Sequence, residues 1–198
     1  MKRVEFFFDL SSPYSYIAAT QLPALVERTG AEVAWRPMVL FAVFKSSGND
    51  MPARVPHKAR WMGQDLQRWA DHYGIPWKMS SHFPLNTVKA MRLILVDDAK
   101  AGAVALAAFR AMWAEDRDIT QEAELRRIAE LGGLDPTTAL QKIEEPAIKD
   151  RLRANTDEAI TRGAFGAPTM LVGDELFWGN DRLQFVEQAL ERIALRAK

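Results

Sequence analysis

The feature that most constrains this chain is a gap in its strand signals. From about Pro56 to Gly163 no run has the short, aromatic or β-branched character of a strand, whereas both ends of the chain do. Any sheet must therefore be assembled from the two ends, with the long middle stretch packed on it as helices. The first end reads strand, helix, strand. Val4 to Phe8 is a short apolar run of the kind that forms a buried parallel strand. Ser12-Pro13 opens a helix, with Ser as N-cap and Pro at the first helical position. Ala18, Leu22, Leu25 and Val26 make its apolar stripe and Gly30 ends it. Val33 to Pro37 follows as a second strand, giving a βαβ unit with a right-handed crossover. The other end reads strand, strand, helix. Pro168 to Val172 and Glu175 to Trp178 flank Gly173-Asp174, a tight hairpin turn, and Asn180 or Asp181 then caps a helix carrying Leu183, Val186, Leu190 and Ile193.

In the middle, Trp61, Leu66, Trp69 and Tyr73 mark one helical face closed by Gly74. Further helices are expected from Val88 to Lys100 and from Val104 to Trp113, another capped by Thr120 and stopped by Gly132-Gly133, and one opened by Asp135-Pro136. Repeats, low-complexity tracts and Ser/Gly linkers are absent from the sequence, so these helices read as an insertion and not as a tethered domain. A βαβ half joined to a ββα half resembles the thioredoxin-like layout. The expected fold is therefore α/β, a thioredoxin-like (βαβ–ββα) sheet with a large all-helical insertion. Residues 1–55 and 164–198 would form the thioredoxin-like domain and residues 56–163 the inserted helical one.

Composition narrows the function. Lys plus Arg and Asp plus Glu both total 26, and a neutral balance argues against a nucleic-acid binder, which needs a phosphate-neutralising surplus. The sequence contains no cysteine, which removes disulfides, thiolate metal sites and a protein-borne thiol nucleophile. His57, His72 and His82 show no metal-ligand spacing and are left out of the site, and no metal is expected. Glu5 and Asp9 interrupt the apolar start, and no stretch approaches the ~20 apolar residues of a membrane span, so the expectation is a cytoplasmic protein without membrane contact.

Ser12-Pro13-Tyr14-Ser15 occupies the strand-to-helix turn where a thioredoxin-like fold carries its Cys-x-x-Cys pair, and serine cannot form a disulfide. The location keeps its physics. A helix N-terminus offers unpaired N–H groups and about half a positive charge. A thiolate held there must come from a small molecule, glutathione being the abundant cytosolic one. Lowering a thiol pKa by ~2 units requires ~2.7 kcal/mol. The dipole supplies at most ~2 kcal/mol, and a hydroxyl donating to the thiolate a further ~1.5–3 kcal/mol, so together they suffice. Equally, Ser-Pro is a common capping pair, and a hydroxyl that only caps would point at its own helix's N–H groups.

Four separated segments then fall into one pattern. They are Phe6-Phe7-Phe8-Asp9-Leu10-Ser11-Ser12-Pro13-Tyr14-Ser15-Tyr16, Phe44-Lys45-Ser46-Ser47-Gly48-Asn49, Pro56-His57-Lys58 leading into Asp65-Leu66-Gln67-Arg68-Trp69-Ala70, and a C-terminal set. That set comprises Ala164-Phe165-Gly166-Ala167-Pro168-Thr169 and Phe177-Trp178-Gly179-Asn180-Asp181-Arg182. Over essentially its whole length the chain resembles the 2-hydroxychromene-2-carboxylate isomerases and the kappa-class glutathione transferases, in the DsbA-like branch of the thioredoxin fold. The resemblance implies that Ser12, not Ser11, holds the glutathione sulfur. It implies that Ala167-Pro168 is a cis-proline site whose backbone pairs with the glutathione peptide. Asn180 and Asp181 match the pair that takes the γ-glutamyl end, although either is also a plausible helix cap. Lys58 and Asn49 match positions near the glycyl carboxylate and the substrate mouth, although lone lysines on helices are usually solvated. Lys45 is a candidate for the substrate carboxylate, and Trp61 and Trp178 for an aromatic pocket, whereas Trp69 reads as core.

The implied activity is glutathione-dependent interconversion of 2-hydroxychromene-2-carboxylate and trans-o-hydroxybenzylidenepyruvate in aromatic-hydrocarbon breakdown, by reversible thiolate addition. The implied partners are glutathione and a small aromatic carboxylate, and a homodimer is the family expectation. Two alternatives stay open: a kappa-like transferase, and a non-catalytic thioredoxin-like module that binds a peptide or partner along the cis-proline edge.

Overall fold

Phe6, Phe7 and Phe8 place bulky rings on both faces of one strand, which is stable only inside a sheet covered on both sides. That is where they lie. The computed structural model describes residues 2–196. Strand β1 (Arg3–Phe8), helix α1 (Pro13–Thr29) and strand β2 (Glu32–Pro37) come first, then helices α2 (Leu40–Ser47), α3 (Pro56–Tyr73), α4 (Val88–Ile94), α5 (Ala101–Trp113), α6 (Glu122–Leu131), α7 (Pro136–Lys142) and α8 (Pro146–Thr161). Strands β3 (Thr169–Val172) and β4 (Glu175–Trp178) and helix α9 (Leu183–Arg196) complete the order. The sheet runs β2-β1-β3-β4, with β1 parallel to β2 and antiparallel to β3, and β3 antiparallel to β4. This is the thioredoxin-like α/β sheet, and the two chain ends meet where Phe7 pairs with Thr169.

On one face of β1, Phe6 and Phe8 stack with ring centroids 5.0 Å apart. Phe109 of α5 lies 5.4 Å from Phe8, and α1 and α9 add Leu22, Val186 and Leu190 to the same core. On the other face Phe7 packs with Met38, Val43, Ala159 and Leu171. Each fully buried phenyl contributes about 1.5–3 kcal/mol. Helix α1 stops at Gly30, whose φ of 66° lies in the left-handed region that a residue with a Cβ adopts at a cost. Among the described residues no helix is long and apolar enough to cross a membrane.

Three local expectations are corrected. The helix expected over Val88 to Lys100 ends at Ile94, because Asp97 Oδ1 accepts from the Ala99 N–H (3.0 Å) and closes a turn that competes with the helix, and α5 starts at Ala101. Thr120 is not the cap of α6. Its N–H and hydroxyl both donate to Asp118 Oδ1, and Gln121 takes the capping position. Asp135 caps α7 as expected, accepting from Thr138 N–H at 2.8 Å; that helix ends at Lys142, and Pro146 opens α8. Asn180 and Asp181 lie inside a 3₁₀ turn (Asn180–Arg182) leading into α9, where the Asp181 carboxylate accepts from the Arg182 guanidinium at 2.6 Å. In addition, α2 has no counterpart in the sequence reading. Its N-cap residue is Val39, which has no side-chain acceptor, so the usual start signal is missing.

Candidate active site

The turn between β1 and α1 is tied down at successive residues. Met38 N–H donates to the Phe8 carbonyl (2.8 Å), Ser12 N–H to the Asp9 carbonyl (3.0 Å), and the buried Trp113 Nε1 to the Leu10 carbonyl (2.8 Å). The Asp9 side chain is 4% exposed and accepts from Ser11 N–H, Leu40 N–H and the Thr87 hydroxyl. These contacts fix the direction of α1 and the place of its N-cap, Ser12.

Ser12 is 5% exposed, and its hydroxyl does two things. It accepts from Ser15 N–H at 3.2 Å, as a cap does, and donates its proton to the Ala167 carbonyl at 3.1 Å. Capping and contact with the cis-proline loop are thus properties of one hydroxyl. The Ala167–Pro168 peptide is cis, and the Pro168 carbonyl accepts from Gly179 N–H at 3.0 Å. Gly179 has a φ of 102°, and a Cβ there would sit 2.6 Å from Asp181 Oδ1, so glycine is required for the chain to turn from β4 into the Asn180–Asp181 corner. Asn180 is 4% exposed, and among the described residues its Nδ2 has no hydrogen-bond partner. The first turn of α1 holds no acidic side chain, so nothing in it cancels the positive end of the helix.

The other expected residues lie on α2, α3 and β4 and in the loop after α2. Asn49 Nδ2 donates to the Phe165 carbonyl (2.9 Å), so its amide fastens the end of α2 to the loop before Ala167. Lys58 is exposed in the first turn of α3, seven positions before Asp65 and hence on the same helical face, about 10 Å along the axis. Asp65 accepts from the Tyr14 hydroxyl at 3.1 Å, which turns that face toward the start of α1. Lys45 is exposed in the last turn of α2. Trp178 is 48% exposed and stands 5.0 Å from the Phe165 ring; its indole lies where a Cβ on Gly166 would be. Trp61 is 55% exposed, whereas Trp69 is partly buried and stacks on Tyr73 at 5.6 Å, in keeping with a core role.

Sequence reasoning missed the Tyr14–Asp65 pair, Asp9, Thr87 and Phe165. Burial, and after it the Asp65 carboxylate, pushes the Tyr14 phenol well above its ordinary range, and Asp181 adds to the effect. Tyr73 is also raised, by burial first and then by Asp181, so the Asp181 charge is felt by both phenols. The one available sign was Tyr14's place inside the Ser-Pro-Tyr-Ser turn. Nothing local marks Asp65 as its partner.

Residues 3–191 match the DSBA-like thioredoxin domain family. The chain is 36% identical to 2-hydroxychromene-2-carboxylate isomerase of Sphingobium xenophagum, over 96% of this chain and 98% of that protein. It is 28% identical to glutathione S-transferase kappa 1 of Rattus norvegicus, over 94% and 90% of the two chains. A solved 2-hydroxychromene-2-carboxylate isomerase superimposes with a TM-score of 0.90 at 31% identity, covering 98% of this chain and 97% of the other. The chain therefore belongs to the DsbA-like thioredoxin family and, within it, to the isomerase group formed with the 2-hydroxychromene-2-carboxylate isomerases.

Proposed function

We propose that this chain is a glutathione-dependent isomerase interconverting 2-hydroxychromene-2-carboxylate and trans-o-hydroxybenzylidenepyruvate, acting as a cytoplasmic homodimer in aromatic catabolism. Within it, residues 1–55 and 164–198 form the thioredoxin-like domain that carries most of the glutathione site, and residues 56–163 form the inserted helical domain, which adds Lys58. The observation that supports this most is Ser12: in a chain without cysteine, its hydroxyl sits at a helix N-terminus, 3.1 Å from the carbonyl that precedes cis-Pro168.

The residues suit glutathione. Ser12 and the α1 N-terminus would hold the sulfur, and the Ala167 backbone the cysteinyl peptide. Asn180, whose buried amide nitrogen has no acceptor among the described residues, would take the γ-glutamyl carboxylate. Asp181 would take its ammonium, and Lys58 the glycyl carboxylate. Asn49 would act by fixing the Phe165–Ala167 loop. Bound glutathione supplies a thiolate, whose reversible addition to a conjugated double bond permits the rotation that geometric isomerisation requires.

The remaining work falls to the chain. With glutathione bound, Ser12 would turn its proton from the Ala167 carbonyl to the sulfur and that carbonyl would be free to accept from the cysteinyl peptide, so neither group would be left unpaired. Trp178, Trp61 and Phe165 offer exposed rings to an aromatic substrate, and Lys45 a positive charge to its carboxylate. The test follows the ultraviolet spectrum of 2-hydroxychromene-2-carboxylate with the protein, with and without glutathione. Conversion only with glutathione is expected; conversion without it overturns the mechanism. The kappa-class relatives favour a second reading, conjugation by the same thiolate. Conjugation of chlorodinitrobenzene without any isomerisation would select it.

A further inference from the structure

We propose that Asp9 and Thr87 are positioning residues for the Ser12 turn, through which the helical insertion sets the place of the sulfur-binding N-terminus. The inference rests on the glutathione reading above.

Asp9 receives only donors, from three different parts of the chain. Oδ1 accepts from Ser11 N–H at 2.9 Å, next to Ser12, and from the Thr87 hydroxyl at 2.8 Å, while Oδ2 accepts from Leu40 N–H at 2.9 Å. Asp9 and Thr87 are 4% and 5% exposed, so water competes little for these bonds. Two helices show that the arrangement is built around Asp9. Helix α2 begins after Val39, which offers no side-chain acceptor; the Asp9 carboxylate accepts from its first N–H instead, a negative group at a positive helix end. Helix α4 begins after Thr87, a residue type that ordinarily caps its own helix, yet this hydroxyl makes no cap bond and is turned to Asp9. One carboxylate thus links the Ser12 turn, the helix that reaches Phe165 through Asn49, and the residue that precedes α4 in the insertion.

The test compares Thr87→Val, which keeps the shape and removes the donor, with Thr87→Ser, which restores it. The readouts are amide hydrogen exchange at Ser11 and Leu40 in the ligand-free protein, the pH midpoint of the thiolate absorbance of bound glutathione, and the split between kcat and KM. Thr87→Val is expected to speed exchange at both amides, raise the midpoint by about one unit and lower kcat roughly tenfold, with the KM for glutathione nearly unchanged. Thr87→Ser should restore all three. Asp9→Asn, which turns an amide nitrogen toward donors, should lower kcat about a hundredfold. A Thr87→Val protein that melts earlier but keeps the wild-type midpoint and exchange would reduce the contact to a structural one and overturn the inference. A wild-type midpoint at the free-thiol value would instead refute the glutathione reading, and the ligand-free exchange would still decide whether Thr87 holds the turn.

Discussion

The two sides of this site are built differently. At the Ser12 turn, Phe8, Asp9, Leu10 and Ser12 are hydrogen-bonded to other parts of the chain and Ser11 to Asp9, and Ser12 and Asp9 are almost fully buried. At the proposed rim, Lys45, Lys58, Trp61 and Trp178 are exposed on α2, α3 and β4. The difference tracks the demands of the chemistry. Stabilising one charge on one sulfur requires donors fixed to a few tenths of an ångström, and a saturated network provides that. Taking up an aromatic acid needs area and a charge, and side chains with room to adapt suffice.

The sharpest way to break this contrast is Ser12→Ala. It should lower kcat by about 10²–10³, the usual cost of removing one preorganised donor. Loss of the cap should cost only about 1 kcal/mol of stability, visible as a small fall in melting temperature. Activity close to wild type would remove Ser12 from the mechanism. Next, Lys58→Ala is expected to raise the KM for glutathione roughly tenfold, within the range of a charge-assisted bond, with kcat little changed. A loss confined to kcat would move Lys58 from the rim to the reacting end. Trp178→Ala should raise the KM for the aromatic substrate by about three- to tenfold and leave the melting temperature nearly unchanged, since the ring is half exposed.

The smallest effect concerns Tyr14. Its pKa is raised above the ordinary phenol value, by burial and then by Asp65, so the folded state holds this proton more tightly than the unfolded one. Its contribution to stability is therefore constant below about pH 10 and is lost as pH rises toward the folded value. Tyr14→Phe should abolish that alkaline loss at a cost of about 1 kcal/mol at neutral pH from the lost bond to Asp65, as denaturant melts at pH 8 and pH 11 would reveal. Any change in the pH–rate profile below pH 9 in this variant would assign Tyr14 a proton-transfer role that its raised pKa argues against.

What was legible in the sequence was local. The apolar run of β1, the Ser12-Pro13 start and Gly30 stop of α1 and the Gly173-Asp174 hairpin each carry their signal within a few residues, and the structure has them there. The cis peptide before Pro168 came from resemblance and not from any local pattern. What escaped was distant in sequence. Helix α2 is capped by Asp9, 31 residues before Leu40; Tyr14 meets Asp65 across 51 residues; and Thr87 reaches Asp9 across 78. In each case a side chain with an ordinary local role, such as Thr87 before α4, is diverted to a partner that only the fold brings near. The Asn180–Asp181 corner shows the converse. Its residue types suit a cap, but the φ of Gly179 sends them into a 3₁₀ turn.

The central claim is that Ser12 and the N-terminus of α1 stabilise a glutathione thiolate. Because the chain contains no cysteine, no protein thiol contributes to the thiolate absorbance of the glutathione complex. Its pH titration in the wild type and in Ser12→Ala is the direct measurement. The account predicts a wild-type midpoint about two units below the free-thiol value near 8.5, and a return of at least one unit toward it in Ser12→Ala. A wild-type midpoint equal to that of free glutathione, or one that Ser12→Ala leaves unmoved, would contradict it.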